Sequence, residues 1–387
     1  MSAVVLPSAG ASRLGVGGAR GDLDAIQAWL TNRLDVPSPR VRHLCGVIGE
    51  RPSGGARTPA LWNAALTDLD YPAVCLPFDV PRERLPGLLD ALRAAEGFLG
   101  ASVATPYKTA VLGLLDEIDP AARRAGAVNV IVRNAEGGLL GGNTDGAGAL
   151  AALTCEAPDG SPPLVRSLAG ARVLVLGAGG AARAVASAVG PALAAGTLYV
   201  ANRSVPRGAE LAGTLAAAGV RATAVGEPYL PKLAREIDVI VNCSAKGQAG
   251  WQTLDDGRQV TLEPYSALAP ASPEPVGWPS GHDATRRRTA YAASLPDILR
   301  NAEAGAHAAL AARVDVPFFD AVYAPRESVF LQQGRLSGHR TLNGIAMSVA
   351  QASDALVYWV LRPLLEARGQ DCAQVHARVR AMMGRLW

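Results

Sequence analysis

The run Ala171-Arg172-Val173-Leu174-Val175-Leu176-Gly177-Ala178-Gly179-Gly180-Ala181-Ala182-Arg183 joins a short apolar strand to a glycine turn and then to good helix formers. Strand, tight turn and helix in that order make a unit of a parallel sheet, and the turn has the layout of a dinucleotide pyrophosphate site. Gly177 permits the turn, Gly179 lets the backbone approach the phosphates, and Gly180, Ala181 and Ala182 bring the helix start close to the sheet, so that free N–H groups and the helix dipole face an anion. A second strand, Leu198-Tyr199-Val200-Ala201, ends in Asn202-Arg203-Ser204, with Arg207 following. At this place an NAD-binding fold carries an acid for the ribose hydroxyls. Here guanidinium groups stand instead, and a planar permanent cation pairs with a 2′-phosphate. The expected cofactor is therefore NADP, held by Gly177, Gly179, Gly180, Ala181, Asn202, Arg203, Ser204 and Arg207. A solvated surface arginine is the plain alternative for Arg203, and the second arginine weighs against it.

At 387 residues, 49% hydrophobic and 18% charged, the chain has material for two domains. Its formal net charge is only +3 and the basic residues are dispersed, which excludes nucleic acid and anionic membranes as expected partners. Cys45, Cys75, Cys155, Cys243 and Cys372 lie far apart, without the paired spacing of a disulfide framework or a structural zinc site. The histidines are equally scattered, so no metal is expected. With no transmembrane segment and no leader-like N-terminus, the reading is a cytoplasmic protein, monomer or homodimer, acting on a small molecule.

The pattern is α/β throughout. Residues 1–43 read as an N-terminal extension: disordered to about Gly21, then a helix capped by Asp22 with Leu23, Ile26, Trp29 and Leu30 on one face. From 44 onward short apolar strands alternate with helices, as at Val47-Ile48, Ala73-Val74-Cys75-Leu76 and Phe98-Leu99-Gly100-Ala101-Ser102-Val103. Helices are expected over 84–95 and in the segment after Lys108 that carries Val111, Leu114 and Leu115. Strands at 173–176, 198–201, 221–225 and 237–242 then predict a Rossmann-type doubly wound parallel sheet. Between Trp251 and Ala293 the composition turns to Pro, Gly, Ser and charge, with Pro270, Pro273, Pro275 and Pro279. This stretch, about 252–293, reads as an inserted mobile loop. Ser294 and Pro296 open a helix to about Ala312, a strand starts at Val316, and helices from Gly344 and Ala373 close the chain.

Reduction of a carbonyl needs a group that can give a proton to the developing alkoxide. Lys108, following a strand and the turn Thr105-Pro106-Tyr107, and Asp145, in Gly141-Gly142-Asn143-Thr144-Asp145-Gly146, are the best candidates, with Asn129 as a third polar group. Taken singly, each has a bland reading as a surface lysine, a helix cap and a turn residue.

Together with Gly46-Val47-Ile48-Gly49, Thr105-Pro106-Tyr107-Lys108, Gly126-Ala127-Val128-Asn129, Asn143-Thr144-Asp145-Gly146, the glycine turn, Asn202-Arg203-Ser204 and Asp320-Ala321-Val322-Tyr323-Ala324-Pro325, these strings follow one order that resembles the shikimate dehydrogenase family over residues 44–360. The resemblance implies NADPH-dependent reduction of 3-dehydroshikimate to shikimate, with Lys108 relaying the proton and Asp145 holding the substrate hydroxyl and the lysine. It implies substrate contacts at Thr58, Asn129, Tyr323 and Gln351. It also implies a discontinuous substrate domain, 44–146 with 344–372, around an NADP-binding domain, 147–343, with substrate bound between the two. The chain departs from the family where a serine pair binds the substrate carboxylate, having Ala56 and Thr58 before Pro59. It departs again where Asn-Val-Thr precedes the lysine, having Ser102-Val103-Ala104. Arg57 offers a compensating pair for a carboxylate. Two alternatives stay open: a paralogue acting on quinate, aminoshikimate or another carbocyclic hydroxy compound, and a non-catalytic NADP-binding regulatory protein.

Overall fold

The computed structural model describes residues 19–134, 136–156, 160–254, 256–276 and 283–387. The expected disorder before residue 19 and the expectation at Pro279 lie outside the described residues. The chain forms two compact units, Met1–Gly148 with Val349–Trp387, and Ala149–Ser348.

The first unit is built on a six-stranded sheet of β1 (His43–Gly49), β2 (Ala73–Asp79), β3 (Phe98–Val103), β4 (Glu117–Ile118), β5 (Val130–Arg133) and β6 (Leu139–Gly142), in the order β2-β1-β3-β5-β6-β4. β1 is parallel to both its neighbours, whereas β5 runs antiparallel to β3 and β6. Leu44, Cys45, Val47 and Ile48 are all buried, as in a strand covered on both faces. The helices before the first crossing are α1 (Ala19–Gln27), α2 (Thr58–Asp68), α3 (Leu85–Ala94), α4 (Pro120–Ala125) and α5 (Asp145–Thr154). α3 turns Leu85, Leu88, Leu89 and Leu92 into the core, each worth about 1.5–3 kcal/mol of burial. α1 adds Leu23 and Ile26 to the same core, so residues 19–43 are part of this unit rather than an appendage. Asp22 lies within the first turn of α1 instead of capping it, and its carboxylate accepts the Gly97 N–H at 2.7 Å. The expected helix after Lys108 shrinks to one short turn, Leu112–Leu114, because Gly113 costs helix about 1 kcal/mol and Asp116 leads directly into β4.

β2 is an edge strand whose outward backbone groups are met by side chains. Asn63 bonds Cys75 through both its amide atoms, Nδ2 to O at 2.9 Å and Oδ1 from N at 2.7 Å. Asn32 bonds Pro77 O at 2.9 Å and Asp79 N at 3.0 Å, and Thr31 N donates to Asp79 O at 2.9 Å.

The second unit holds a fully parallel sheet of β7 (Arg172–Leu176), β8 (Thr197–Ala201), β9 (Ala222–Val225), β10 (Val239–Asn242), β13 (Phe318–Asp320) and β14 (Thr341–Leu342), ordered β14-β13-β10-β7-β8-β9. A hairpin of β11 (Trp251–Thr253) and β12 (Gln259–Thr261) stands apart. The strand order reverses between β7 and β10, which sets a topological switch point beyond the carboxyl ends of those two strands. α6 (Gly180–Ala192) and α7 (Val205–Ala217) follow β7 and β8; α8 (Leu230–Leu233), α9 (Asp283–Ala311) and α10 (Val329–Leu336) follow later. Val173, Val175, Leu198 and Val200 pack with Val185 and Val189 of α6 on one face. Leu174, Leu176, Ile240 and Phe318 pack with Phe330 and Ala308 on the other.

The expected mobile loop at 252–293 is largely ordered structure. After the hairpin, Tyr265, Ser266, Ala267, Leu268, Ala269 and Ala271 are buried, and α9 begins eleven residues before Ser294, with Pro296 inside it. α9 docks through Ala290, Ser294, Ile298 and Asn301, whose helical spacing forms a stripe too small and polar to register as a hydrophobic face. Asn301 Nδ2 reaches the carbonyls of Ser266, Ala269 and Pro270 at 3.1, 3.1 and 2.9 Å. Lys246 donates to Ala269 O at 2.6 Å and pairs with Glu227 at 2.8 Å. Burial holds the lysine below its usual pKa, with Glu227 opposing.

α11 (Ile345–Asp354) carries the chain back into the first unit and continues through a π-helical stretch, Ala355–Val360, to α12 (Arg362–Ala367) and α13 (Cys372–Arg385). The division falls inside α5 and α11, at 148/149 and 348/349, rather than at the linker positions 146/147 and 343/344.

Candidate active site

Lys108 owes its position to backbone ties on either side. Tyr107 is buried and its Oη donates to Val80 O at 2.6 Å, while Val128 N donates to Lys108 O at 2.7 Å. The segment bearing Val128 and Asn129 is in turn delivered by α4, where Asp119 Oδ2 caps the N–H groups of Ala121 and Ala122 and Gly126 closes the helix in the left-handed region at φ 58°. Asn129 then joins the sheet, its N–H donating to Gly142 O at 2.9 Å and its carbonyl accepting from Val103 N at 2.7 Å.

Asp145 opens α5, where a carboxylate is favoured by the helix dipole, and its N–H donates to Asn143 Oδ1 at 3.0 Å. Lys108 Nζ lies 2.5 Å from Asp145 Oδ2, with side chains 17% and 4% exposed. Asn129 Nδ2 lies within hydrogen-bonding distance of Asp145 Oδ1 (2.8 Å), Thr144 Oγ1 (2.9 Å) and Gln351 Oε1 (3.2 Å), and Asn129 Oδ1 accepts the Thr144 N–H at 2.8 Å. Thr144 Oγ1 donates to Gln351 O at 3.0 Å. Asn129 has two amide hydrogens for three acceptors, so it bonds at most two of them at once. The outcome is an ammonium held against a buried carboxylate by a side chain that keeps some exposure, an arrangement suited to proton transfer.

Lys108, Asp145, Asn129 and Gln351 thus come together, and Thr144, unmarked in the sequence reading beyond its place in the Asn-Thr-Asp string, joins them. Thr58 begins α2, outside this network. Arg57, expected to offer itself to a carboxylate, instead donates Nη2 to Leu386 O at 2.7 Å and lies 4.6 Å above the Trp387 ring.

In the second unit, Gly177 has φ 111°, and a Cβ there would lie 3.1 Å from the Cys243 and Ser244 backbone. Only glycine fits that turn. Gly179, at the N-terminus of α6, would meet nothing within 4 Å. Its lack of a side chain therefore serves no internal packing and leaves the helix N-terminus approachable, which fits a pyrophosphate. Beyond β8, Asn202 Nδ2 donates to Ser204 O at 2.9 Å, and Ser204 starts α7 without a side-chain cap bond. Arg203 and Arg207 are exposed, and the string 202–207 carries no acidic residue, which fits a 2′-phosphate.

Tyr323 lies in the same unit, on the turn after β13. That turn is governed by Asp320, which sequence reasoning did not single out. Its carboxylate accepts from Asn242 Nδ2 at 2.8 Å, Val322 N at 2.9 Å and Ser328 Oγ at 2.5 Å. Burial raises its pKa to about 7 against these three donors. Asn242 and Asp320 are register partners on β10 and β13, so the contact is a consequence of sheet pairing.

Residues 47–131 match the shikimate dehydrogenase substrate binding domain and residues 163–250 match the shikimate / quinate 5-dehydrogenase family. The second match ends immediately before the hairpin at Trp251. The chain is 34% identical over 308 residues to the shikimate dehydrogenase (NADP(+)) of Moorella thermoacetica, covering 79% of this chain and 84% of that protein. It is 35% identical over 320 residues to that of Symbiobacterium thermophilum, covering 82% and 88%. Among solved structures, the shikimate 5-dehydrogenase of Thermus thermophilus, in complex with NADP(H) and shikimate, superposes with a TM-score of 0.57 at 27% identity, covering 88% of this chain and 99% of that one. With two domain matches in order and curated relatives similar over four-fifths of its length, the chain belongs to the shikimate dehydrogenase family.

Proposed function

We propose that this protein is an NADP-dependent shikimate dehydrogenase, interconverting 3-dehydroshikimate and shikimate, and that it works in a reducing compartment such as the cytoplasm, where its five free cysteines would persist. The observation that carries the reading is the Lys108–Asp145 pair held by Asn129. The nicotinamide, when bound, supplies or accepts the hydride. In the reducing direction, Lys108 Nζ gives its proton to the carbonyl oxygen of the substrate as that oxygen gains charge. Asp145 keeps the ammonium in place and accepts from a substrate hydroxyl, while Asn129 and Gln351 orient the ring. Gly177, Gly179, Gly180 and Ala181 receive the pyrophosphate, and Asn202, Arg203, Ser204 and Arg207 receive the adenosine 2′-phosphate.

Ala56 and Ala104 in place of hydroxyl-bearing residues favour a second reading, a related carbocyclic alcohol with fewer demands on a carboxylate site. Purified protein assayed by nicotinamide absorbance with NADP and shikimate, then with quinate and amino analogues, decides between them. Shikimate turnover at ordinary efficiency is expected. A strong preference for an analogue replaces the first reading with the second, and no turnover of any member removes both.

A further inference from the structure

Three segments that are remote in sequence meet at the carboxyl end of β2. Val80 O accepts from Tyr107 Oη in the turn leading to Lys108. The Asp79 carboxylate, in a residue only 5% exposed, accepts the Ser53 N–H at 2.9 Å on Oδ1 and the Ser53 hydroxyl on Oδ2. Ser53 sits in the short turn Pro52–Gly54, which leads through Ala56 and Arg57 to Thr58. The Asp79 backbone is gripped from the other side by Asn32 and Thr31 of the N-terminal segment, which extends beyond the residues matched by the family's substrate domain. The same turn also approaches the strand that precedes Lys108, because a Cβ at Gly49 would lie 3.3 Å from both Ala104 Cβ and Pro52 Cδ.

We infer that Asp79 is a positioning residue for the substrate, locking the turn before Thr58 to the same strand end that anchors the Lys108 turn, with Asn32 and Thr31 bracing it from outside the family's usual domain. Resting on the activity proposed above, this assigns the N-terminal segment a part in substrate affinity. A carboxylate taking both the N–H and the hydroxyl of one serine fixes that residue in rotation as well as position. Loosening it lets the Thr58 end drift while the Lys108–Asp145 pair, tied separately through Val80 and Val128, keeps its geometry.

The test compares Ser53→Ala, Ser53→Thr and Asp79→Asn with the wild type in the full chain. Ser53→Ala and Asp79→Asn should raise the KM for shikimate about tenfold, with kcat held within about twofold and the KM for NADP unchanged, and Ser53→Thr should restore the wild-type KM. In hydrogen exchange, the amides of 53–58 should exchange faster in both deficient variants while those of β7 and α6 do not change. Unaltered shikimate KM in both variants overturns the proposal, as does a parallel fall in kcat and in affinity for both ligands. Absence of shikimate turnover by the wild type refutes the proposed activity instead, and the exchange comparison then decides whether Asp79 holds the turn.

Discussion

The cluster around Lys108 and the turn after β7 are built on opposite principles. In the first, four side chains from separate segments satisfy one another: the ammonium meets a carboxylate, the carboxylate meets an amide, and the amide meets a glutamine. In the second, the groups proposed to receive the cofactor are backbone N–H donors at a helix start and two exposed guanidinium groups beyond the neighbouring strand. The difference teaches where chemistry and where binding energy reside. Proton transfer demands side chains whose mutual geometry is set in advance, so the protein commits buried polar contacts to it. Anchoring a phosphate demands donors left open toward a ligand, and backbone supplies them without burying a charge.

The sharpest way to break this comparison is Lys108→Ala. Shikimate turnover should fall about a thousandfold while the dissociation constant for NADP, read by fluorescence titration, stays within about twofold; a matching loss of NADP affinity would show that the two sites are not separable. Next comes Arg203→Ala, for which the KM for NADP should rise on the order of tenfold or more with little change for NAD, since a charge-assisted bond to the phosphate is lost. Equal effects on both cofactors would remove Arg203 from phosphate recognition. A pair of glycine variants sharpens the contrast within the turn itself. Gly177→Ala, forced into a left-handed backbone against the Cys243 chain, should lower the melting temperature by several degrees. Gly179→Ala should leave melting unchanged and weaken NADP a few-fold, and a reversed pattern would reassign the two glycines. The smallest effect concerns Asp320, whose folded pKa of about 7 lies above the ordinary carboxylate value. Between about pH 4 and 7 the native protein holds a proton that the unfolded chain has released, so this group's contribution to stability declines as pH rises through that window. Asp320→Asn should flatten the fall in melting temperature between about pH 4 and 7, and an unchanged slope would show that Asp320 does not titrate there.

Legibility follows the same contrast. The glycine turn and Asn202-Arg203-Ser204 are contiguous strings whose chemistry is local, so spacing alone points to a dinucleotide and to a 2′-phosphate. The alternation of strands and helices likewise exposes the parallel sheet. Asn129 and Gln351 lie 222 residues apart in sequence, and only the resemblance to a family places them together. Asp79 and Asp320 escape a sequence reading because their partners are set by strand ends meeting after folding. The segment after Trp251 misleads for a different reason: prolines and small residues suggest irregular chain, yet α9 starts at Asp283 and docks through a face in which Ile298 is the one bulky apolar member beside Ala290, Ser294 and Asn301. The unit boundaries fall two to five residues from the expected ones because both crossings run through unbroken helix, where composition carries no mark.

The amide brackets along β2 have a bearing on self-association. An uncovered outermost strand is an invitation to a second sheet, and here Asn32, Thr31 and Asn63 occupy the seats such a visitor would take. Along residues 75–79 the strand offers a second sheet few open backbone groups, and a chain trimmed past Asn32 would bare half of that border to any passing strand.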